Sequence, residues 1–290
     1  MPRQTRIDAP GALHHIIVRG IERRPIFRDD RDRDHFLERL ADILAETETS
    51  CYAWALIPNH VHLLLKTGLT PIATVMRRLL TGYAVCFNRR HRRSGHLFQN
   101  RYKSILCQEE PYLRELVRYI HLNPLRAKLL EDIKALGNYP YGGHSAVAGK
   151  VKRDWQRVDE VLGLFGKRKA NARRAYVRFV KKGVPQGRRP ELSGGGLVRS
   201  VGGWKALSAL RGAAVRLKGD ERILGDSAFV EAVLKTADEQ LERRYRLKAE
   251  GFNLEQVAER VAEVLDSPVE RVWEKNRRPQ VVEARSLLCF

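Results

Sequence analysis

The 290-residue chain contains no run of about 18 apolar residues, the least that crosses a bilayer as a helix. It also lacks a signal-peptide pattern and a basic amphipathic stretch near its start, which disfavours a membrane surface as partner. Cysteine is scarce: Cys51, Cys86, Cys107 and Cys289 lie far apart, which excludes zinc-ribbon spacing and leaves them as packing residues of an intracellular protein. No period of roughly 20 to 50 residues repeats, so a solenoid is excluded. Acidic residues are the other shortage, with 34 Asp and Glu against 54 Lys and Arg, a net charge of +20. Such an excess favours a polyanion, because each neutralised phosphate releases condensed counterions. What remains, a hydrophobic fraction of 43%, is enough for a globular core.

Periodicity over residues 1–145 reads strand (12–21), helix (30–47), strand (52–57), strand (60–66), helix (71–90), strand (97–108) and helix (109–122), with Pro124 interrupting the last. This order is the split βαβ arrangement, so the expected fold is α+β and ferredoxin-like, an antiparallel sheet with helices on one face. The other face would be open to a ligand. Residues 138–152 read as a loop leaving this first domain. Residues 146–225 read as a linker and helical extension, with candidate helices over 158–165, 170–181 and 204–216. Residues 226–290 read as an all-α C-terminal region, with helices over 227–245, 254–265 and 281–290. It looks like either an incomplete DnaA-like or Trp-repressor-like helix-turn-helix domain or a helical packing extension.

The chemistry concentrates in Ile57-Pro58-Asn59-His60-Val61-His62-Leu63. On a strand, alternate side chains share a face, so His60 and His62 stand together while Val61 points to the core. Two imidazoles one pleat apart can reach one cation, although a half-buried strand with a polar face has the same pattern. In Tyr119-Ile120-His121-Leu122-Asn123-Pro124, Tyr119 and Asn123 lie one helical turn apart on one face. Asn123 offers a hard carbonyl oxygen suited to Mg²⁺ or Mn²⁺. His121 points to another helical face. His14 and His15 are adjacent on the first strand and face opposite sides; either could sit beside the His60–His62 pair from a neighbouring strand, but a hydrogen-bonded sheet histidine is the favoured reading. Tyr83, mid-helix at core spacing, is a weaker nucleophile candidate than Tyr119.

These motifs, with Leu13-His14-His15-Ile16 and Ser94-Gly95-His96-Leu97-Phe98-Gln99-Asn100-Arg101-Tyr102-Lys103, resemble the single-tyrosine HUH transposases, in particular the REP-associated type. The resemblance spans roughly residues 5–145 and weakens over 155–183. It implies that His60, His62 and Asn123 bind one Mg²⁺ or Mn²⁺ and that Tyr119 is the nucleophile. It further implies cleavage and rejoining of hairpin-associated single-stranded DNA through a 5′-phosphotyrosine, without a nucleotide cofactor. The setting implied is the bacterial cytoplasm, in association with the nucleoid; some relatives exchange the tyrosine helix in a homodimer, but the long C-terminal extension of this chain favours a monomer.

The densest cationic stretch, Asn88 to His96, supplies Arg89, Arg90, Arg92 and Arg93 as expected phosphate contacts. Gln99, Arg101 and Lys103 would continue that surface along one face of the following strand. Arg3, Gln4 and Arg6 form a basic arm of the kind that reaches bases. Two other readings stand beside the transposase. One is a non-catalytic nucleic-acid-binding module, which would want exposed aromatics where this chain has histidines. The other is a metal-dependent nuclease using water, with Tyr119 a bystander.

Overall fold

The computed structural model describes residues 7–187, 189, 192, 220–249, 254–274 and 278–288. The chain divides into two compact units, residues 1–231 and 232–290. The first opens with β1 (Leu13–Arg19), α1 (Asp30–Glu46), β2 (Ser50–Ile57), β3 (His60–Lys66), α2 (Ile72–Arg90) and β4 (Lys103–Cys107). The strands order β2-β3-β1-β4, every neighbour antiparallel, which is the ferredoxin-like sheet expected from the sequence. A two-residue strand, β5 (Ile223–Leu224), adds in parallel to the free edge of β4.

Local chemistry sets the helix starts. Asp29 caps α1 by accepting from the Asp32 amide at 3.0 Å, and the Asp8 carboxylate accepts from the Ile72 amide at 2.7 Å to cap α2. Ile16, Val18, Trp54, Leu56, Val61 and Leu63 face α1 and α2, where Phe36, Leu40, Met76, Leu79 and Tyr83 complete one core. α1 and α2 pack closely, since a Cβ on Gly82 would lie 2.2 Å from Arg39 Nη1.

The second face is not open. Leu13, Tyr52, Ala53, Ala55 and Leu64 pack there against α3 (Glu109–His121) and α8 (Lys169–Lys182), reached through the short helices α4 (Asn123–Arg126), α5 (Ile133–Asn138), α6 (Gly143–Val147) and α7 (Val158–Gly163). α3 carries Leu113, Leu116, Val117 and Ile120 as a buried stripe that needs this cover. The extension over 146–225 is thus no separate body where it is described. Residues 138–152 also differ from the expected loop. Tyr141 accepts from the Leu56 amide at 2.9 Å, Gly142 bridges Ala55, and α6 is wholly buried. Glycines mark close approach here, because a Cβ on Gly143 would sit 2.7 Å from His121 Nε2.

Residues 97–108 do not form one strand. β4 pairs with β1 only from Ile17↔Lys103 downward, and pairing resumes at an isolated bridge, Gly20↔Phe98. Residues 99–102 therefore bulge opposite Val18 and Arg19, anchored by buried Leu97 and Tyr102. Cys51 and Cys107 are core packing residues, as expected, and Cys289 lies outside the described residues.

The second core holds a polar cluster. The Tyr176 hydroxyl lies 2.7 Å from both His121 Nδ1 and His144 Nδ1, tying α3, α6 and α8 together. The hydroxyl carries one proton, so it donates to one ring and accepts from the other. Burial pushes His144 down to about 4 and, with the neighbouring His144 charge, holds His121 well below its ordinary 6.5. Between those values the unfolded chain binds more protons, so stability falls as pH drops through this window. His144 alone accounts for roughly 3 kcal/mol by about pH 4. Urea midpoints measured from about pH 7 downward should fall steadily, and His144→Gln should flatten the slope.

The second unit contains most of α9 (Ser227–Ala249), then α10 (Leu254–Val264), α11 (Val269–Trp273) and α12 (Pro279–Leu288). The last three close on Ala258, Val261, Ala262, Val272 and Ala284, with Val264 and Trp273 exposed. The candidate helix over 204–216 lies outside the described residues.

Candidate active site

β1 and β3 build the site. Their register sets Ile17 opposite His62 and Arg19 opposite His60, so His15, His60 and His62 share the face that α3 covers. His15 is the diagonal neighbour of His62, and His15 Nε2 lies 3.0 Å from His62 Nδ1. The two rings stack with centroids 5.3 Å apart, and His60 stands edge-on to His62 at 5.2 Å. Tyr119, in the last turn of α3, meets His15 at 5.9 Å and His62 at 6.0 Å, both edge to face. Two motifs nearly sixty residues apart thus meet within one chain. Behind the tyrosine, the Arg126 guanidinium lies 5.0 Å from its ring centroid and donates to the Tyr119 carbonyl at 3.1 Å.

The electrostatics keep both histidines of the pair neutral. Burial, then the charge of Arg19, brings His60 down to about 4. Burial, then His15, His60, Arg19 and Arg126, holds His62 well below 6.5. Neutral imidazole is the form that binds a metal. Asn123 follows Tyr119 by one turn, is 7% exposed, and its buried Nδ2 has no hydrogen-bond partner. That orphan is a donor, so an acceptor such as a phosphate oxygen would complete it, whereas a cation would take the opposite, oxygen end of the amide. Among the described residues, no three His, Cys, Asp or Glu side chains gather as a metal-ligand set. The two neighbouring imidazoles, His60 and His62, are borderline donors of the kind a divalent cation accepts, and an amide oxygen such as that of Asn123 would add a hard one.

Residues 10–123 match the family model described as "Transposase IS200 like", and His15, His60, His62, Tyr119 and Asn123 all fall within the matched stretch. The match takes in the whole four-stranded antiparallel part of the sheet and stops at Asn123, so the likeness to that family is confined to this stretch. Among solved structures, a REP-associated tyrosine transposase bound to a REP hairpin aligns at 15% identity and a TM-score of 0.43, over 54% of this chain and 98% of that one. A transposase-like protein from Deinococcus radiodurans R1 aligns at 19% identity and a TM-score of 0.29, over 42% of this chain and 95% of that one. No curated protein matches the chain. Among the described residues no helix is long and apolar enough to cross a membrane.

The basic residues expected to contact DNA divide into two groups. Arg89 and Arg92 are exposed at the end of α2, and Gln99, Arg101 and Lys103 are exposed on or beside the bulge. The bulge, rather than one strand face, presents Gln99 and Arg101. Arg90 is instead already paired, donating to Asp29 at 2.6 and 2.7 Å and to Asp32, while His91 Nε2 lies 2.9 Å from Asp32. Arg93 donates to Asn88 at 3.0 Å and to the His96 carbonyl at 3.2 Å, bracing the loop. Arg3, Gln4 and Arg6 lie outside the described residues. Arg89→Ala with Arg92→Ala should weaken single-stranded DNA binding and flatten its salt dependence, as filter binding across a salt series would show. Arg90→Ala should instead leave the salt slope unchanged and lower the melting temperature.

Tyr83 is excluded as a rival nucleophile by its surroundings. It is buried, donates to the Ile26 carbonyl at 2.5 Å, and burial pushes its phenol far above the ordinary range. His14 faces the other core, beside Ser104 at 3.1 Å. Arg19 and Arg126 join the site without having been singled out for it, and His15, which was open to either reading, takes the place beside His62. His15 and Arg19 depend on strand register, and Arg126 carried only one signal, its place seven residues beyond Tyr119.

Proposed function

We propose that the chain is a metal-dependent transposase of the REP-associated type, which cleaves and rejoins hairpin-associated single-stranded DNA through a 5′-phosphotyrosine. The observation that carries this reading is Tyr119 lying edge-on to His62 at 6.0 Å in the same chain. His60, His62 and Asn123 would hold Mg²⁺ or Mn²⁺, and the cation, when bound, acts as a Lewis acid on a scissile phosphate. Tyr119 Oη attacks phosphorus, forming an O–P bond to the 5′ side and breaking the P–O3′ bond. The phenol proton ends on the released 3′ oxygen. Arg126 sets a positive charge against the ring on which negative charge develops. Because the phosphotyrosine keeps the phosphodiester's energy, attack by another 3′-hydroxyl joins strands by the reverse path. The exposed cations at Arg89, Arg92, Arg101 and Lys103 supply the phosphate-binding surface. A cytoplasmic, nucleoid-associated monomer in a bacterium is the setting that fits this reading.

The test is covalent capture. Wild-type protein with a labelled hairpin oligonucleotide and Mg²⁺ should give a band of protein-bound label on a denaturing gel. Free 5′-phosphate ends with no adduct would instead identify a nuclease that uses water, and binding without cleavage would identify a non-catalytic module.

A further inference from the structure

His60 is held by a contact whose direction can be deduced. Its Nδ1 lies 2.7 Å from Asn59 Oδ1, and the same amide's Nδ2 lies 3.1 Å from the Arg23 carbonyl. A carbonyl has no proton, so the amide end facing Arg23 must be the NH₂ group, and the end facing His60 must be oxygen. That oxygen only accepts. His60 Nδ1 therefore carries the hydrogen, and a neutral ring with Nδ1–H has its lone pair on Nε2. By contrast, the His15–His62 hydrogen bond sets no direction by itself, since either ring can donate.

The Arg23 carbonyl is itself fixed by the backbone. The Gly20 amide donates to Asn59 O at 2.9 Å, and the Ile26 and Phe27 amides donate to Pro58 O at 2.7 and 3.1 Å. Residues 20–27 thus clasp the β2–β3 turn. Gly20 permits the tight path, because a Cβ there would lie 2.1 Å from the Arg24 carbonyl oxygen.

We infer that Asn59 is a positioning residue that locks His60 in the Nδ1–H tautomer, leaving Nε2 as the nitrogen that ligates a divalent cation. Outer partners of this kind orient metal-binding imidazoles and raise their basicity. The ligating half of this inference rests on the function proposed above, whereas the tautomer does not.

The experiment reads imidazole ¹⁵N shifts in metal-free protein, then Mn²⁺ affinity by titration. Wild type should show His60 as Nδ1–H with a bare Nε2. Asn59→Ala should shift His60 toward the Nε2–H form and weaken Mn²⁺ binding by about 10-fold or more. Asn59→Asp, which keeps an acceptor, should retain the Nδ1–H form. A wild-type His60 in the Nε2–H form, or a tautomer unchanged in Asn59→Ala, overturns the assignment. If Asn59→Ala does not fold, the wild-type and Asn59→Asp tautomers decide it. Wild-type protein that shows the Nδ1–H form yet binds no Mn²⁺ overturns the metal reading beneath, and the metal-free measurement tells the two failures apart.

Discussion

Replacing Tyr119 with phenylalanine should abolish strand cleavage, by about 10³-fold or more, while single-stranded DNA binding stays within about twofold. The substitution removes one oxygen and keeps the ring. The edge-on contacts with His15 and His62 and the Arg126 guanidinium over the ring all depend on the aromatic carbons. Packing and the histidine pair should therefore be undisturbed, and a lost activity would report the hydroxyl alone. Cleavage of a labelled hairpin oligonucleotide, adduct formation on a denaturing gel and an equilibrium binding curve form the measurement. Retained nicking by the variant would remove Tyr119 from the chemistry.

His62→Ala should cost a comparable amount, roughly 10²-fold to 10⁴-fold in metal-dependent cleavage, together with measurable loss of Mn²⁺ binding. His62 is 5% exposed and touches His15, His60 and Tyr119, so the truncation also opens space beneath the Tyr119 ring. His62→Gln fills most of that space and separates the two effects. It should restore thermal stability without restoring cleavage. His60→Ala, at the more exposed end of the strand, should lose cleavage with a smaller effect on melting. Normal cleavage in Mg²⁺ by either alanine variant would move the metal site elsewhere.

What the sequence made legible followed from short-range periodicity. His60 and His62 on one face need only the two-residue repeat of β3, and Tyr119 one turn before Asn123 needs only the helical repeat of α3. The six-element order was legible for the same reason, down to the antiparallel sheet. Contacts that depend on register were not. His15 meets His62 because β1 pairs with β3 as Ile17↔His62, and nothing in either strand alone states that alignment. Arg90 looked like a phosphate contact because it sits among arginines, yet its partners Asp29 and Asp32 lie about sixty residues earlier. The bulge at 99–102 hid behind β-forming residues on both sides. The apolar stripe of α3 was visible, but the surface it covers was not, so the second sheet face was expected to be open.

β5 has a consequence in time. Leu106 and Cys107 pair with β1 on one side, but their partners on the outer side exist only once Ile223 and Leu224 do, more than a hundred residues later in the chain. At about 5–20 residues per second of synthesis, the outer side of β4 waits on the order of 5–25 s with its hydrogen-bonding groups uncovered. An uncovered strand edge recruits whatever other strand is nearby. A nascent chain paused between β4 and β5 should therefore be the species most prone to self-association and most dependent on chaperones.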